Sequence, residues 1–187
     1  EEGDALSLKE VNLHDACFAE FKSSILAVSH RWETENNPDP DGVQFKQLRE
    51  FLLSPDGQHF QWVFYDWSCL PQEYTAEFES RKRSRFEKRV MDRMMSEMNL
   101  LYLGSFVLIL MDASFKSRFW TLFEAWLSFQ IVTSAGLHSR KAGDKARNHI
   151  LTLHNANEHD KKALVEMALV EMSTPEQARE KLSRPDV

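Results

Sequence analysis

Residues 106–111 form an uninterrupted apolar run, Phe-Val-Leu-Ile-Leu-Met, directly after Ser105. A short run with no polar residue on either alternating face is typical of a β-strand that is covered on both sides. Such strands occur mainly in parallel sheets, because the helical crossovers between parallel strands cover both faces. The run therefore predicts an α/β fold with helices packed on both faces of a parallel sheet.

Two other segments predict buried strands, and helical patterns separate the three strands. Residues 24–29 are apolar and end in polar residues, whereas residues 62–66 combine aromatic and β-branched side chains. Apolar residues recur at helical spacing in residues 43–53, 80–101 and 119–132. This alternation of strand and helix predicts a small parallel sheet with flanking helices.

The pattern beyond Gly136 predicts helices only. The candidates are residues 145–154, residues 160–172 and a short segment that starts at Pro175. We therefore predict an α/β domain over residues 1–136, followed by a helical C-terminal extension over residues 137–187 that packs on the same domain. A total of 187 residues is within the size range of one such unit.

The charge of the chain argues against two classes of partner. The chain has 23 basic and 29 acidic residues and a net charge of −6 with neutral histidines. Such a protein is repelled by nucleic-acid phosphates and by anionic membrane surfaces, so neither is an expected partner. The basic cluster from Arg81 to Arg89 is a local exception, and we interpret it as a solvated helix face or loop.

The cysteines and the first residues indicate the compartment. Cys17 and Cys69 are far apart in sequence, and no signal-peptide pattern occurs near residue 1. The longest strongly apolar stretch, residues 100–111, is too short to span a bilayer. We therefore expect reduced thiols and a cytoplasmic location. Since the first residue is not methionine, we also expect this sequence to be part of a longer protein.

A polar cluster follows each of the three predicted strands. The clusters are Ser29-His30-Arg31-Trp32, then Asp66-Trp67-Ser68-Cys69-Leu70-Pro71-Gln72, then Asp112 with Ser114 and Ser117-Arg118-Phe119-Trp120. In an open parallel sheet the ligand crevice forms outside the carboxyl ends of the strands, where loops from neighbouring strands converge. The three clusters therefore predict a functional site at that edge.

Trp120 and Glu124 extend this site onto the following helix. They are four residues apart, so their side chains share one helix face. A carboxylate that faces an aromatic-walled pocket is partly desolvated. Desolvation raises its pKa and suits it to proton transfer or to stabilising a developing cation. The alternative is an exposed helix glutamate with no special role.

Three other polar residues have two interpretations each. His30 and Arg31 could bind phosphate or act as acid and donor, or they could be neutralised by neighbouring carboxylates such as Asp66. Cys69 could be a nucleophile, but no histidine is near it in sequence, and small cysteines commonly pack in cores. Packing is the favoured interpretation for Cys69.

No metal or prosthetic group is expected. Residues 37–42 mimic the start of an EF-hand loop, but Leu48 stands where a bidentate glutamate is required. His149, His154 and His159 recur every five residues, which on a helix turns each by about 140° from the last. They would not converge on one ion. No P-loop and no G-x-G-x-x-G motif occurs.

Three ordered segments resemble the motifs of the fungal heterokaryon-incompatibility (HET) domain. They are Ala27-Val28-Ser29-His30-Arg31-Trp32, Asp66-x-x-Cys69-x-x-Gln72 and Ser117-Arg118-x-Trp120-Thr121-x-x-Glu124. The last segment also resembles the serine, tryptophan and glutamate pattern of Toll/interleukin-1 receptor (TIR) domains, which have a related, flavodoxin-like parallel-sheet fold. The resemblance covers residues 25–132.

The resemblance implies a signalling domain of innate immunity or cell death that hydrolyses NAD at the nicotinamide-ribose bond. Enzymatic TIR domains have a catalytic glutamate at the position matched by Glu124 and an aromatic residue at the position matched by Trp120. A carboxylate near the ribose can stabilise the oxocarbenium-like centre that forms as nicotinamide leaves. The residues expected to bind NAD are Ser29, His30, Arg31, Trp32, Asp66, Trp67 and Trp120.

Two other functions stay open. Many TIR adaptors act by homotypic association without catalysis, and the loops at Trp32 and Trp67 offer aromatic contacts of the kind found at interfaces. A homo-oligomer is therefore expected. Alternatively, the domain binds a nucleotide-derived signal without cleaving it. Residues 34–42 form a longer first loop than the TIR pattern has, and no glycine follows the second strand, so the loop contacts of TIR domains are not carried over.

Overall fold

The computed structural model describes residues 6–7, 9–34, 36–75, 80–141, 144–169, 172 and 174–183. In chain order the elements are α1 (Leu13–Cys17), β1 (Phe21–His30), α2 (Val43–Leu53), β2 (Trp62–Phe64), α3 (Asp66–Cys69), β3 (Tyr74–Thr75), β4 (Ser80–Arg81), α4 (Arg85–Glu97), α5 (Asn99–Gly104), β5 (Ser105–Met111), a 3-10 turn (Phe115–Ser117), α6 (Phe119–Ser128), β6 (Gln130–Thr133), β7 (Gly136–Ser139), β8 (Asn148–Thr152), α7 (Glu158–Ala168) and α8 (Pro175–Leu182).

The central sheet of this described part has four parallel strands in the order β2-β1-β5-β8. The chain first adds β2 on one side of β1 and then adds β5 on the other side. Strand order therefore reverses between β1 and β5, as it does at the ligand-binding switch point of flavodoxin-like sheets. The predicted fold class, a small parallel sheet with flanking helices and further helices at the C-terminal end, is confirmed.

The sheet is the middle layer of three, because side chains alternate between its faces along each strand. One face packs on α2 and the other on α5 to α8. The residues of β1 and β5 on the α2 face are Leu26, Val28, Leu108 and Leu110, and those on the opposite face are Ala27, Val107, Ile109 and Met111. Each is at most 1% exposed, which explains why β5 has no polar side.

Helix α6 is the central element of the second face. Every residue from Thr121 to Ser128 is buried, and the indole of Trp126 is among the largest fully buried side chains. A helix that is apolar on most of its sides belongs inside a core. Glu124 is the charged residue within this buried stretch. Its burial removes a carboxyl group from water, which is unfavourable for the ionised form.

Some predicted elements have different boundaries in the structure. Residues 43–53 and 105–111 are the predicted helix and strand, but residues 80–101 divide into β4, α4 and α5. The helix predicted to reach residue 132 ends at Ser128, and β6 then pairs antiparallel with β7. The β-branched residues of β6 favour a strand. Gly136 has a φ of 111°, so it suits the turn that reverses the chain there.

The prediction of a helix over residues 145–154 is wrong. Residues 148–152 form β8, which pairs in parallel with β5 at the edge of the sheet. Its apolar core is too short to show strand periodicity, so the pairing with β5 decides its conformation. The chain after Gly136 is therefore not wholly helical, and it supplies the fourth strand. Helices α7 and α8, in contrast, pack on α6 as expected of a helical extension.

Both cysteines are free thiols in the structure. Cys17 ends α1 and Cys69 ends α3, and both are half-buried. Within the described ranges, none of the helices is both long enough and apolar enough to cross a membrane.

Candidate functional site

Glu124 lies against the carboxyl end of β1. Its side chain is buried, with 9% of the residue exposed, and its Oε2 accepts a hydrogen bond of 2.7 Å from the hydroxyl of Ser29. Ser29 is fully buried and lies on the face of β1 that α6 covers, because it continues the alternation of Ala27. The pair therefore joins two segments that are 95 residues apart, at the switch point of the sheet.

The environment of Glu124 favours the protonated carboxyl group. Burial raises its pKa from 4.5 to about 8, and the negative charge of Asp66 adds to the increase. The hydroxyl groups of Ser29 and Tyr102 lower the pKa, but they compensate only in part. Among the described residues, no cation acts on this carboxyl. Glu124 is therefore mostly neutral at pH 7 and gains its charge in a mildly alkaline range.

Tyr102 is a site residue that the sequence patterns did not identify. Its side chain is 1% exposed, its hydroxyl is 3.4 Å from the carbonyl oxygen of Val28, and it acts directly on Glu124. Burial raises the pKa of Tyr102 well above its ordinary value, and the charge of Glu124 raises it further. The available signal was a tyrosine within an otherwise apolar stretch, since a buried phenol needs a hydrogen-bond partner.

Asp66 connects the first two strand ends. Its Oδ1 lies 2.7 Å from Nε2 of His30 and accepts a 2.6 Å hydrogen bond from the backbone N–H of Trp67. Its Oδ2 accepts a 2.9 Å hydrogen bond from the indole of Trp32. The imidazole of His30 stacks on Tyr65 at 4.3 Å, and the indoles of Trp32 and Trp67 meet edge to face at 4.8 Å. These contacts hold the loops after β1 and β2 together.

Arg31 and Asp112 connect the first and third strand ends. Nε and Nη2 of Arg31 lie 2.8 and 2.5 Å from Oδ2 of Asp112, across the switch point between β1 and β5. The hydrogen bonds to Asp112 raise the pKa of Arg31. His30 and Arg31 thus both have carboxylate partners, which was one of their two interpretations. Nδ1 of His30 and Oδ1 of Asp112 are buried and lack a partner within the described residues.

The structure brings most of the predicted site residues together, but not Trp120. Glu124 bonds to Ser29, and Asp66 bonds to the next part of β1 and its loop. Trp120 lies at the start of α6 with 56% of its surface exposed, and its ring contacts Phe119. The buried stretch of α6 begins only at Thr121, so the shared helix face does not bring the indole into the enclosed site.

Cys69, considered from the sequence as a possible nucleophile, and Asp39, part of the EF-hand-like segment, have structural roles. The thiol of Cys69 is 3.8 Å from the carbonyl oxygen of Val63, and burial raises its pKa, which disfavours the nucleophilic thiolate. Asp39, within the EF-hand-like segment, accepts hydrogen bonds from the backbone N–H groups of Gln44 and Phe45 at the start of α2. Across the described ranges, no three His, Cys, Asp or Glu side chains are placed to hold a metal ion.

Glu124 does not line either of two clefts on the described surface. One cleft, of about 690 Å³, lies at the amino end of the sheet. The other, of about 300 Å³, lies between β2 and α4 and includes the apolar side chains of Trp62 and Met94. The site around Glu124 is enclosed, because only 9% of this residue is exposed.

No protein-family model matches the chain, and no curated protein and no solved structure matches it either. The resemblance to HET and TIR domains therefore depends on the three sequence segments alone. The fold and the enclosed carboxyl group are findings of the structure, whereas the activity that they support is a proposal.

Proposed function

We propose that the chain is a TIR-like or HET-like signalling domain that hydrolyses NAD at the nicotinamide-ribose bond, with Glu124 as its catalytic residue. The supporting observation is the buried carboxyl group of Glu124 at the switch point of a parallel sheet, where burial raises its pKa to about 8. A buried glutamate with a purely structural role is normally paired with a cation. Glu124 instead interacts with two hydroxyl groups and a second carboxylate.

The chemistry fits a carboxyl group of this kind. The bond between C1′ of the ribose and the nicotinamide nitrogen breaks, and its electron pair leaves with nicotinamide, which becomes neutral. The ribose gains positive charge, which an ionised Glu124 stabilises. Water then bonds to C1′ and gives a proton to the carboxylate. The nicotinamide ring of NAD is itself cationic, so its binding lowers the pKa of Glu124 and favours the ionised form.

Access to Glu124 requires movement at the carboxyl edge, because 9% of the residue is exposed. The Arg31–Asp112 ion pair and the contacts of Asp66 hold this edge closed. When it opens, Oδ1 of Asp112 and Nδ1 of His30 can bond to substrate hydroxyl groups, since neither atom has a partner in the described part of the chain. In this proposal, association of several copies of the chain stabilises the form in which the carboxyl edge is open.

The test is nicotinamide release from NAD by the purified protein over a range of protein concentrations. Glu124→Gln should reduce the rate by at least about 100-fold, because it keeps the shape of the side chain but removes its charge. The matched control is Glu158→Gln, whose carboxylate is 82% exposed on α7, and it should keep the wild-type rate. Absence of turnover by the wild type at every concentration, or full activity of Glu124→Gln, would exclude the proposal.

A second candidate is a non-enzymatic module that acts by homotypic association. It is supported by Trp120, an indole with 56% of its surface exposed beside the enclosed site, because exposed tryptophans often anchor interfaces. Concentration-dependent light scattering that Trp120→Ala abolishes, together with an inactive NAD assay, would favour it. Thermal stabilisation by NAD or ADP-ribose without product would instead favour a nucleotide sensor.

A further inference from the structure

A second region of the molecule has the size and composition of a ligand site. The cleft of about 690 Å³ lies at the amino end of the sheet, opposite the edge that contains Glu124. Lys22 at the start of β1, Phe106 at the start of β5 and His149 in β8 line it, together with the end of α2. Its volume is within the range of small-molecule sites, about 300–1,000 Å³.

The lining of this cleft is more basic than the chain as a whole. Its cations are Lys22, Arg140, Lys145 and Arg147, and its carboxylates are Asp56 and Asp144. The chain as a whole has a net charge of −6, so four cations against two carboxylates is a local reversal of charge. Within the described residues, no ion pair neutralises Lys22, Arg140 or Lys145. An anion in this cleft would meet unneutralised positive charge.

Arg140 and Arg147 are the strongest part of this pattern. Nη1 of Arg140 is buried and has no hydrogen-bond partner in the described part of the chain, and the guanidinium lies over the ring of Phe129. Arg147 is buried, and within the described ranges it donates only to backbone carbonyl groups. The charge of Arg140 adds to the effect of burial in lowering the pKa of Arg147, so the two cations repel each other. A bound anion would relieve that repulsion and bond to Nη1 of Arg140.

The other part of the lining is aromatic. Phe18, Phe51, Phe106 and His59 all line the cleft, and the ring centroids of Phe51 and Phe106 are 6.4 Å apart in a stacked arrangement. Flat apolar surfaces of this kind bind planar rings. We infer that the cleft binds a phosphorylated small molecule of nucleotide size, with its phosphate groups at Arg140 and Lys145 and its ring against the phenylalanines.

Calorimetric titration with ADP tests this inference. ADP should bind the wild type, and adenosine, which lacks the phosphates, should bind at least about tenfold more weakly. Arg140→Gln should weaken ADP binding by about tenfold or more, whereas Arg140→Lys, which keeps the charge, should lose less. The control is Arg93→Gln, since Arg93 has a 75% exposed side chain on α4 and pairs with Glu97. It should bind ADP like the wild type.

A variant of the opposite edge separates this cleft from the proposed NAD site. In an Asp66→Asn background ADP should still bind, and Arg140→Gln should still weaken that binding by about tenfold or more, because Asp66 belongs to the carboxyl edge. Three results would each overturn the inference: no ADP binding at millimolar concentration, equal affinity for adenosine and ADP, or equal ADP affinity of Arg140→Gln and the wild type. Loss of ADP binding in Asp66→Asn but not in Arg140→Gln would also overturn it, by placing ADP at the other edge.

Discussion

Arg147 and Glu124 are both buried ionisable residues, at opposite ends of the same sheet, and they differ in the number of hydrogen bonds that satisfy them. Arg147 is 7% exposed and donates hydrogen bonds to four backbone carbonyl oxygens, at 2.9, 2.8, 2.5 and 3.3 Å. Glu124 is 9% exposed and accepts a bond from Ser29 at 2.7 Å. The acceptors of Arg147 are Tyr102, Ser105, Leu127 and Gln130, so its guanidinium joins α5, β5 and the end of α6.

The two environments lead to different ionisation states at neutral pH. Burial lowers the pKa of Arg147 to about 10, so its guanidinium is still charged at pH 7. Burial raises the pKa of Glu124 to about 8, so its carboxyl group is mostly neutral at pH 7 and changes its charge close to physiological conditions. An ion with four hydrogen bonds to the backbone holds the fold together, whereas a group that titrates near neutrality can perform chemistry. This contrast is the physical reason for proposing a catalytic role for Glu124 and a structural role for Arg147.

The largest expected effect is that of Arg147→Met on stability. The substitution leaves four buried carbonyl oxygens without their donor, so the free energy of unfolding should fall by about 3–5 kcal/mol. Urea denaturation measures this change. Arg93→Met, at an exposed position of α4, is the matched control and should change stability by less than about 0.5 kcal/mol. A similarly small loss for Arg147→Met would show that its four bonds do not hold the fold together.

The next effect is the pH dependence of stability that Glu124 causes. Its pKa in the folded protein, about 8, is above its ordinary value of 4.5, so the folded state binds the proton more tightly. The contribution of Glu124 to the free energy of unfolding is therefore largest below about pH 4.5. It falls as the pH rises toward 8, by at most about 1.4 kcal/mol per pH unit. Urea denaturation from pH 5.5 to 7.5 should show a decrease in the wild type that Glu124→Gln lacks. Parallel curves for the two proteins would contradict the raised pKa.

The smallest expected effect on stability is that of Trp120→Ala. Its indole is 56% exposed, so the free energy of unfolding should change by less than about 1 kcal/mol. Trp120 stands where the TIR resemblance places an aromatic residue that contacts NAD, so the KM for NAD should rise while the protein stays folded. Thermal denaturation and nicotinamide release, measured on the same preparation, separate the two effects. A large loss of stability would show that Trp120 supports the core.

The sequence predicted the elements whose pattern is local. β5 is buried on both faces, and its six consecutive apolar residues indicate this directly in the sequence. α2 has an apolar stripe with the helical period, which predicts a helix. β8 was missed because it is an edge strand with a short apolar segment, and its pairing with β5 involves residues about 40 positions earlier. The conformation of such a strand is determined by its pairing partner, which a local sequence pattern does not show.

The sequence predicted that the strand-end residues share one edge of the sheet, but it did not predict their contacts. Parallel strands bring their carboxyl ends to one edge, so Ser29, Asp66 and Asp112 were expected there. The burial of Glu124 depends on how α6 packs, and its bond to Ser29 spans 95 residues. The role of Arg147 was not predicted, because it depends on carbonyl oxygens that are 17 to 45 residues away in sequence. No local sequence motif indicates such contacts.

The most direct test of the contrast between the two buried residues is a carboxyl ¹³C NMR titration of Glu124, assigned by comparing the spectra of the wild type and Glu124→Gln. The proton held on Glu124 distinguishes this residue from an ordinary surface glutamate. We expect a titration midpoint near pH 8. A midpoint near the ordinary value of 4.5 would contradict the assignment, because the carboxyl group would then be a fully stabilised anion at neutral pH.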